Sequence, residues 1–357
     1  MKQSSTKVNY ELKKRNHAFD ILCGICIIRM VTLHIMAFCG QEKLDWWQEV
    51  MRWSFFFMSF FFFKAGYFNK GTSSGTDLDY LRDRSKRLLV PYLMSGFIGA
   101  AVYFSFYFPL VDRYKKFVEP LEWSHLWMKS GFYGNSPIWF LFSFFTVYMM
   151  VRYIDKVKHL CWLTIIFPAL SYWAYSTGNN VPMSLGNVFI ACYFFYLGRL
   201  WHWVMQRFSR EQVMGASWLM VAAFVVLGIV TPGTYNMSQN LFTGNPVMAV
   251  VNATLVLCGL AGVLLTLDVP RIPWLCFIGE HSMVFFISHY PMLYFYKFTR
   301  LSFGRSIYGK VDDVLILLPV IFCLCAWLVP YIERVPWLSG RWPAQKRASV
   351  AAETRPD

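Results

Sequence analysis

The chemistry of this sequence has to come from a few ionisable residues inside long apolar stretches: Asp20, Arg29, His34, Lys64 and His289. A titratable side chain within a bilayer is costly unless it faces a protein interior or water. Each of the five is therefore a candidate functional residue. Asp20 and Lys64 lie near the ends of their stretches, so side chains that merely extend to the membrane surface are an equal alternative for these two.

His34 is the candidate catalytic residue. A helix rises about 1.5 Å per residue, which places His34 about 21 Å beyond Asp20, in the far half of the membrane. A neutral imidazole there can accept a hydroxyl proton at modest desolvation cost. Arg29 precedes His34 by five residues, about 140° around the helix. We therefore expect Arg29 to face another way and to pair with a carboxylate or a backbone carbonyl.

Four cations occupy six consecutive positions before the third apolar stretch, namely Arg82, Arg84, Lys86 and Arg87. Clusters of arginine and lysine bind phosphates through charge-assisted hydrogen bonds. The cluster is therefore a candidate phosphate-binding site. Cytoplasmic loops carry the same excess of cations for topological reasons, so that alternative stays open.

Ser282 and His289 are seven residues apart and share one helix face within about 20°. Two turns is too long for a direct hydrogen bond, and the absence of a GxSxG motif argues against a hydrolase triad. We expect both to line a cavity. The other expected cavity-lining residues are Asp20, Cys23, Arg29 and Trp139.

The composition indicates that the solvent of this chain is a membrane. Of 357 residues, 56% are hydrophobic and 15% are charged, whereas soluble domains are about a quarter charged. The apolar residues fall into blocks of about 17 to 24, the length that a bilayer requires of a helix. The prediction is an all-α, polytopic fold with about ten transmembrane helices, near 18–39, 53–68, 88–108, 136–153, 159–175, 187–205, 214–231, 246–267, 279–298 and 313–332.

Charge distribution sets the predicted topology. With the N-terminus in the cytoplasm, the inner side holds 22 Lys and Arg residues and the outer side 10, which places both termini inside. Residues 1–17 form a basic leader, 18–332 the membrane domain and 333–357 a cytoplasmic tail expected to be disordered. We assign the net charge of +14 to these loops and expect no nucleic-acid partner. The cysteines lack zinc-site or disulfide spacing, so no metal is expected.

Six motifs resemble the integral-membrane acyltransferase 3 family, whose members O-acylate polysaccharides and glycolipids. They follow the family order over roughly residues 15–332. The motifs are FDILxGIxIIxxVTLH ending at His34, FFFMSFFFFKAGYF at 55–68, RDRSKRLLVPYL at 82–93, PIWFLFSFF at 137–145, FFYLGRLW at 194–201 and FIGEHSMVFFISHYP at 277–291.

One position departs from the family pattern. The family's first helix carries a basic residue eleven positions before its histidine, on nearly the same face and about 16 Å away. Here that position is Cys23. Either a displaced cation such as Arg29 or Lys64 takes over its role, or this member has altered donor use or has lost activity.

The resemblance implies an acyl-coenzyme A donor that enters from the cytoplasm and a carbohydrate or glycolipid acceptor at the far side, within a multi-pass protein of the cell membrane. The donor-binding residues would then be Arg82, Arg84, Lys86, Arg87 and Lys64. His34 is then a general base, with a transient acyl-histidine as the rival mechanism. Trp139 and Ser282 are candidates for stabilising the oxyanion. Two other classes stay open: a transporter or flippase of a lipid-linked sugar, and a non-catalytic partner in polysaccharide assembly. The oligomeric state stays open between a monomer and a homodimer.

Overall fold

The computed structural model describes residues 17–69, 71, 75–111, 128, 130–157, 160–178, 181–267, 269–304 and 311–342. Most of these residues are helical. In chain order the α-helices are α1 His17–Phe38, α2 Asp45–Trp53, α3 Phe57–Phe68, α4 Asp77–Arg84, α5 Val90–Val102, α6 Phe108–Val111, α7 Trp139–Ile154, α8 Phe167–Ser176, α9 Val188–Arg207, α10 Arg210–Val230, α11 Pro246–Thr266, α12 Pro273–Glu280, α13 Ser282–Ser302, α14 Val311–Ile332 and α15 Pro336–Ser339.

Seven helical segments of the described residues are long and apolar enough to cross a membrane. Two short π-helical segments, Ser85–Leu89 and Tyr103–Tyr107, join α4, α5 and α6 into one of them. The predicted all-α membrane fold is confirmed, while the count of ten spans stays a prediction. The seven are His17–Phe38, Asp77–Leu110, Ser136–Ile154, Pro182–Arg207, Arg210–Val230, Pro246–Thr266 and Val311–Ile332.

The three remaining predicted spans, at 53–68, 159–175 and 279–298, are not among these seven. α3 has 12 residues and rises about 18 Å, less than a bilayer core of about 30 Å. α8 has 10 residues and continues a 3-10 helix at Leu160–Ile166. In the span predicted at 279–298 the backbone leaves the helical region at His281, between α12 and α13, and α13 itself has 21 residues. His281 Nδ1 lies 2.6 Å from a carboxylate oxygen of Glu333.

A β-hairpin between α10 and α11 is the exception to the helical fold. Strand β1, Gly233–Asn236, pairs antiparallel with β2, Leu241–Gly244. Its tip is fixed to the bundle because Asn240 Nδ2 donates to the carbonyl of Ser171 (3.0 Å) and Asn187 Nδ2 donates to that of Met237 (3.0 Å). We call the end of the bundle that carries this hairpin and α2 the hairpin side, and the opposite end, where α1 begins and α4 ends, the basic side.

Glycines let α1 and α3 approach their neighbours closely. A Cβ atom on Gly66 of α3 would lie 1.8 Å from the carbonyl oxygen of Phe195 in α9, and one on Gly279 of α12 would lie 1.9 Å from that of Asp20 in α1. Small residues at helix contacts are the usual means of tight packing in membranes. These contacts fix the two helices that carry His34 and Lys64.

Ionic contacts close the basic side. Arg199 donates to both carboxylate oxygens of Asp155 (2.6 and 2.8 Å) and to Asn69 (2.7 Å). The part of the predicted tail that the structure describes, 333–342, contains the short helix α15. Trp342 Nε1 donates to the carbonyl of Lys86 (2.8 Å), which holds this stretch against the π-helical segment after α4.

Candidate active site

Two cavities lie along the same four helices, one toward each side of the bundle. α1, α3, α7 and α13 line both of them. The hairpin-side cavity has a volume of about 520 Å³, and its lining includes Arg29, His34, Glu49, Arg52, Trp139 and Asn236. The basic-side cavity measures about 430 Å³, and its lining includes Cys23, Lys64, Asn69, Arg84, Tyr148 and Ser282.

His34 lines the hairpin-side cavity near the end of α1. Its ring is held by α13, with the ring centroid of Tyr290 at 5.0 Å in an edge contact and that of His289 at 5.2 Å. The imidazole thus has a fixed orientation and borders an open space. This arrangement is what a base that receives a proton from a bound hydroxyl requires.

His289 lies behind His34 instead of lining either cavity as expected. It is fully buried, and its Nδ1 is 2.9 Å from the carbonyl oxygen of Phe285. Because a carbonyl only accepts, Nδ1 carries the proton and Nε2 remains an acceptor. Ser282 lines the basic-side cavity. It lies about 10 Å from His289 along α13 by helical rise, so the Ser282 hydroxyl is not beside the His34 imidazole.

Arg29 lines a cavity, as expected of it. The cavity is the one that His34 lines, although the two positions are about 140° apart on the helix. Its Nε donates to the Ser54 hydroxyl (3.1 Å), and its guanidinium carbon lies 3.7 Å from the centre of the Phe57 ring. The expected carboxylate or backbone carbonyl is not its partner within the described part of the chain.

The basic-side cavity brings Lys64 to the position where the first helix lacks a cation. Lys64 Nζ lies 3.0 Å from the sulfur of Cys23. Arg84 lines the same cavity, with its guanidinium carbon 4.1 Å from the centre of the Tyr148 ring. No carboxylate of the described residues pairs with Lys64 or Arg84, so both cations are available to an anion.

The other three cations of the predicted donor-binding cluster do not line this cavity. Arg87 pairs with Asp83 (2.9 Å), Lys86 lies over the Trp342 ring (5.5 Å) and Arg82 is exposed. Residues two apart on a helix point about 200° away from each other. Four cations within two turns therefore cannot all face one cavity.

Asp20 lines neither cavity. It is buried, and one oxygen of Asp20, one of Glu280 and one nitrogen of His17 all lie within 4.8 Å of one another. This cluster joins the start of α1 to the end of α12. The contact explains how a carboxylate is accommodated inside the first helix.

Three phenylalanine rings separate the cavities. The Phe140 ring centroid is 5.6 Å from that of Phe61, which lines the basic-side cavity, and 5.6 Å from that of Phe286, which lines the hairpin-side cavity. We call Phe61, Phe140 and Phe286 the aromatic partition. The linings of the two cavities are thus linked through contacts between these rings.

Comparison with protein families decides the class of this site. The model of the family described as an acyltransferase domain, Acyl_transf_3, matches residues 16–330. The chain belongs to the acyltransferase 3 family. No curated protein sequence and no solved structure matches it. The family match covers both cavities, so the fold and the candidate site belong to a membrane acyltransferase.

Sequence reasoning missed the parts of the acyltransferase that close the hairpin side. These are α2, with Glu49 and Arg52, and the hairpin, with Tyr235 and Asn236, all of which line the cavity. Burial raises the pKa of Tyr235, so the phenol stays protonated and donates to Asn240 (3.0 Å). The available signal was the Pro-Gly pair at 232–233 and the Gly-Asn pair at 244–245, which bracket two short alternating stretches.

The contact between Lys64 and Cys23 gives a prediction for the acyltransferase. Cys23→Arg should destabilise the protein, because two unit charges about 4 Å apart repel by about 1–4 kcal/mol, depending on the effective dielectric. The same change in a Lys64→Met background should cost much less. Thermal unfolding of the two single variants and the double variant measures this coupling. Equal costs of Cys23→Arg in both backgrounds would show that Lys64 does not occupy the vacant position.

Proposed function

We propose that this membrane acyltransferase moves an acyl group, most simply acetyl, from acyl-coenzyme A to a hydroxyl of a cell-surface carbohydrate or glycolipid. The observation that carries the proposal is the pair of cavities on shared helices. One cavity presents His34, the other presents Lys64 and Arg84, and the aromatic partition lies between them. This arrangement offers an anion site at one end and a proton acceptor at the other.

The basic-side cavity suits the donor. Phosphate groups bind to Lys and Arg through charge-assisted hydrogen bonds, and Lys64 and Arg84 are the two cations that line it. From there the pantetheine arm would extend between α1, α3, α7 and α13 past the partition. Its thioester would then approach the imidazole of His34.

The hairpin-side cavity suits a carbohydrate acceptor. Trp139 and Tyr235 supply aromatic surface, and Gln48, Glu49 and Asn236 supply hydrogen-bonding groups. A pocket with apolar walls and a few well-placed polar groups is the usual form of a small-ligand site. A sugar has both an apolar ring face and hydroxyl groups, so it fits both kinds of lining.

In the proposed reaction His34 takes the proton from an acceptor hydroxyl as its oxygen attacks the thioester carbonyl. The carbon–sulfur bond then breaks, the ester forms, and the leaving thiolate takes the proton from the imidazolium. Trp139, in the same cavity, is the candidate donor to the intermediate oxyanion. In the rival mechanism, His34 itself carries the acyl group between two such steps.

The orientation in the cell membrane follows from the donor, which is a cytoplasmic metabolite. The basic side and both termini would face the cytoplasm, and the hairpin side the exterior. An impermeant thiol reagent should label Ser238→Cys, an exposed hairpin position, in intact cells and should label Glu211→Cys, exposed at the start of α10, only after permeabilisation. The opposite labelling pattern would reverse the orientation.

The proposed function is tested by incubating purified protein with labelled acetyl-coenzyme A and cell-surface glycan. With glycan present, we expect the label to appear on the glycan. With glycan left out, we expect free acetate to be released, at a lower rate than transfer to the glycan. A flippase or a non-catalytic partner would give neither. Loss of O-acetyl esters from the surface glycans of a deletion strain, restored by wild type but not by His34→Ala, would identify the acceptor.

A further inference from the structure

We infer that the hairpin-side cavity binds an anionic group of the acceptor, a carboxylate or a phosphate, at Arg29. The inference rests on the proposed function, because it takes this cavity to be the acceptor site. It goes further by giving the acceptor a charge and by naming the residue that reads it.

The first observation is an uncompensated cation. Arg29 is 8% exposed, its Nη1 has no hydrogen-bond partner among the described residues, and its two contacts, Ser54 and Phe57, are both neutral. Taking a cation out of water costs several kcal/mol unless an opposite charge or a full set of hydrogen bonds replaces the lost hydration. The site is therefore incomplete as the chain alone builds it.

The second observation is the charge of the lining. Among the cavity's lining residues, Arg52 and Glu49 form an ion pair (3.1 Å) that is largely exposed. That pair contributes no net charge, and Arg29 is left as the unmatched cation. A cavity with one excess positive charge and neutral polar walls favours a ligand with one negative group.

The third observation is the position of Arg29 relative to His34. α3 runs antiparallel to α1, with Lys64 beside Cys23 and Phe57 beside Arg29. Ser54, which holds the guanidinium, precedes Phe57 and so lies nearer to the level of His34. The side chains of Arg29 and His34 both line the cavity, within about two helical turns of each other along α1. A sugar ring spans a few ångströms, so its acid group can reach Arg29 while a hydroxyl meets His34.

Binding an acceptor anion differs from stabilising the oxyanion in how it depends on the acceptor. An oxyanion donor contacts the reacting carbonyl whatever the acceptor is, including water. A residue that binds an acceptor anion affects only acceptors that carry one. The two roles therefore predict different dependence on substrate charge.

The experiment uses the full-length protein in nanodiscs and three soluble probes: an oligosaccharide of hexuronic acids, its carboxyl-reduced counterpart, and a glycerol-phosphate oligomer. Wild type should bind at least one anionic probe about tenfold or more tightly than the neutral one, as expected for a charge-assisted hydrogen bond. Whichever anionic probe wins identifies the group as carboxylate or phosphate. Arg29→Gln should abolish the preference and Arg29→Lys should retain part of it. Arg207→Gln, which removes an exposed cation on the basic side, should leave it unchanged.

Binding and transfer are measured separately, so that the two proposals fail separately. A protein that transfers acyl groups but binds the three probes equally would overturn the role of Arg29 and spare the proposed function. A protein that binds the anionic probes more tightly than the neutral one but transfers no acyl group would support the role of Arg29 and overturn the proposed function. If Arg29→Gln does not fold, the wild-type preference and the Arg29→Lys variant still decide. Equal loss of transfer to charged acceptors, to neutral acceptors and to water in Arg29→Lys would assign Arg29 to the oxyanion and overturn the inference.

Discussion

Replacing His34 with alanine is expected to lower acyl transfer by about 10²–10⁴-fold, the usual loss when a positioned general base is removed. Binding of coenzyme A should stay near the wild-type value, because the proposed phosphate site lies in the other cavity, beyond the aromatic partition. Transfer of labelled acyl groups and equilibrium binding of coenzyme A, measured on the same purified protein, check both halves of this expectation.

The matched control is His202→Ala. His202 lies on the basic side, outside the lining of both cavities, with Gln206 as its hydrogen-bond partner, so its loss should leave transfer close to normal. A folded His34→Ala protein that keeps more than about a tenth of wild-type transfer would remove His34 from the catalytic role. Mass spectrometry of wild type held with donor and no acceptor distinguishes the base from the acyl-histidine, which adds one acyl mass to the peptide containing His34.

The combined change of Lys64 and Arg84 to alanine is expected to abolish useful donor binding. Each charge-assisted hydrogen bond to a phosphate contributes about 1.5–3 kcal/mol, or about 10- to 150-fold in affinity. Two independent contacts would therefore give a loss of at least about a hundredfold. Competition between coenzyme A and a labelled analogue on the purified variant measures it.

Changing Arg82 and Arg87 to alanine removes the same charge from residues that do not line the basic-side cavity, and we expect less than about a threefold loss of affinity, since exposed charges in salt act weakly. Both double variants lose two positive charges, so a difference between them reflects the position of the cations and not the amount of charge removed. Equal losses in the two double variants would mean that the cations act through their summed field. Unchanged binding in the Lys64 and Arg84 variant would place the donor elsewhere.

Much of the fold follows from hydrophobic block length alone, because a bilayer fixes the length of a spanning helix. Block length does not encode the tertiary contacts that shape individual helices. The run at 53–68 contains the last residue of α2, a turn and all of α3, whose Gly66 packs closely against α9. The stretch at 279–298 includes the break at His281, whose imidazole contacts Glu333, far along the chain.

The candidate site was predictable where one helix carries it. His34 lies on α1 beside an open cavity, and Lys64, one of the two cations that the sequence offers at the vacant position, lies against Cys23. Of the four cations at 82–87, only Arg84 lines the basic-side cavity. The rotation of α4 against α7 decides this, and the periodicity of one helix in the sequence does not reveal how that helix is rotated against another. The position of the Arg29 guanidinium depends on Ser54, in the turn before α3, and on Phe57, the first residue of α3.

The aromatic partition has a consequence for the membrane as a whole. A protein with polar cavities at both ends would let protons and salt cross if the cavities joined, and the energy stored across the membrane would be lost. The rings of Phe61, Phe140 and Phe286 offer an ion no ligands where they lie between the two cavities. Under the proposed function, an uncharged pantetheine arm would enter between these rings while ions are kept out. An acyl group would then reach the far side of the membrane without loss of the electrochemical gradient.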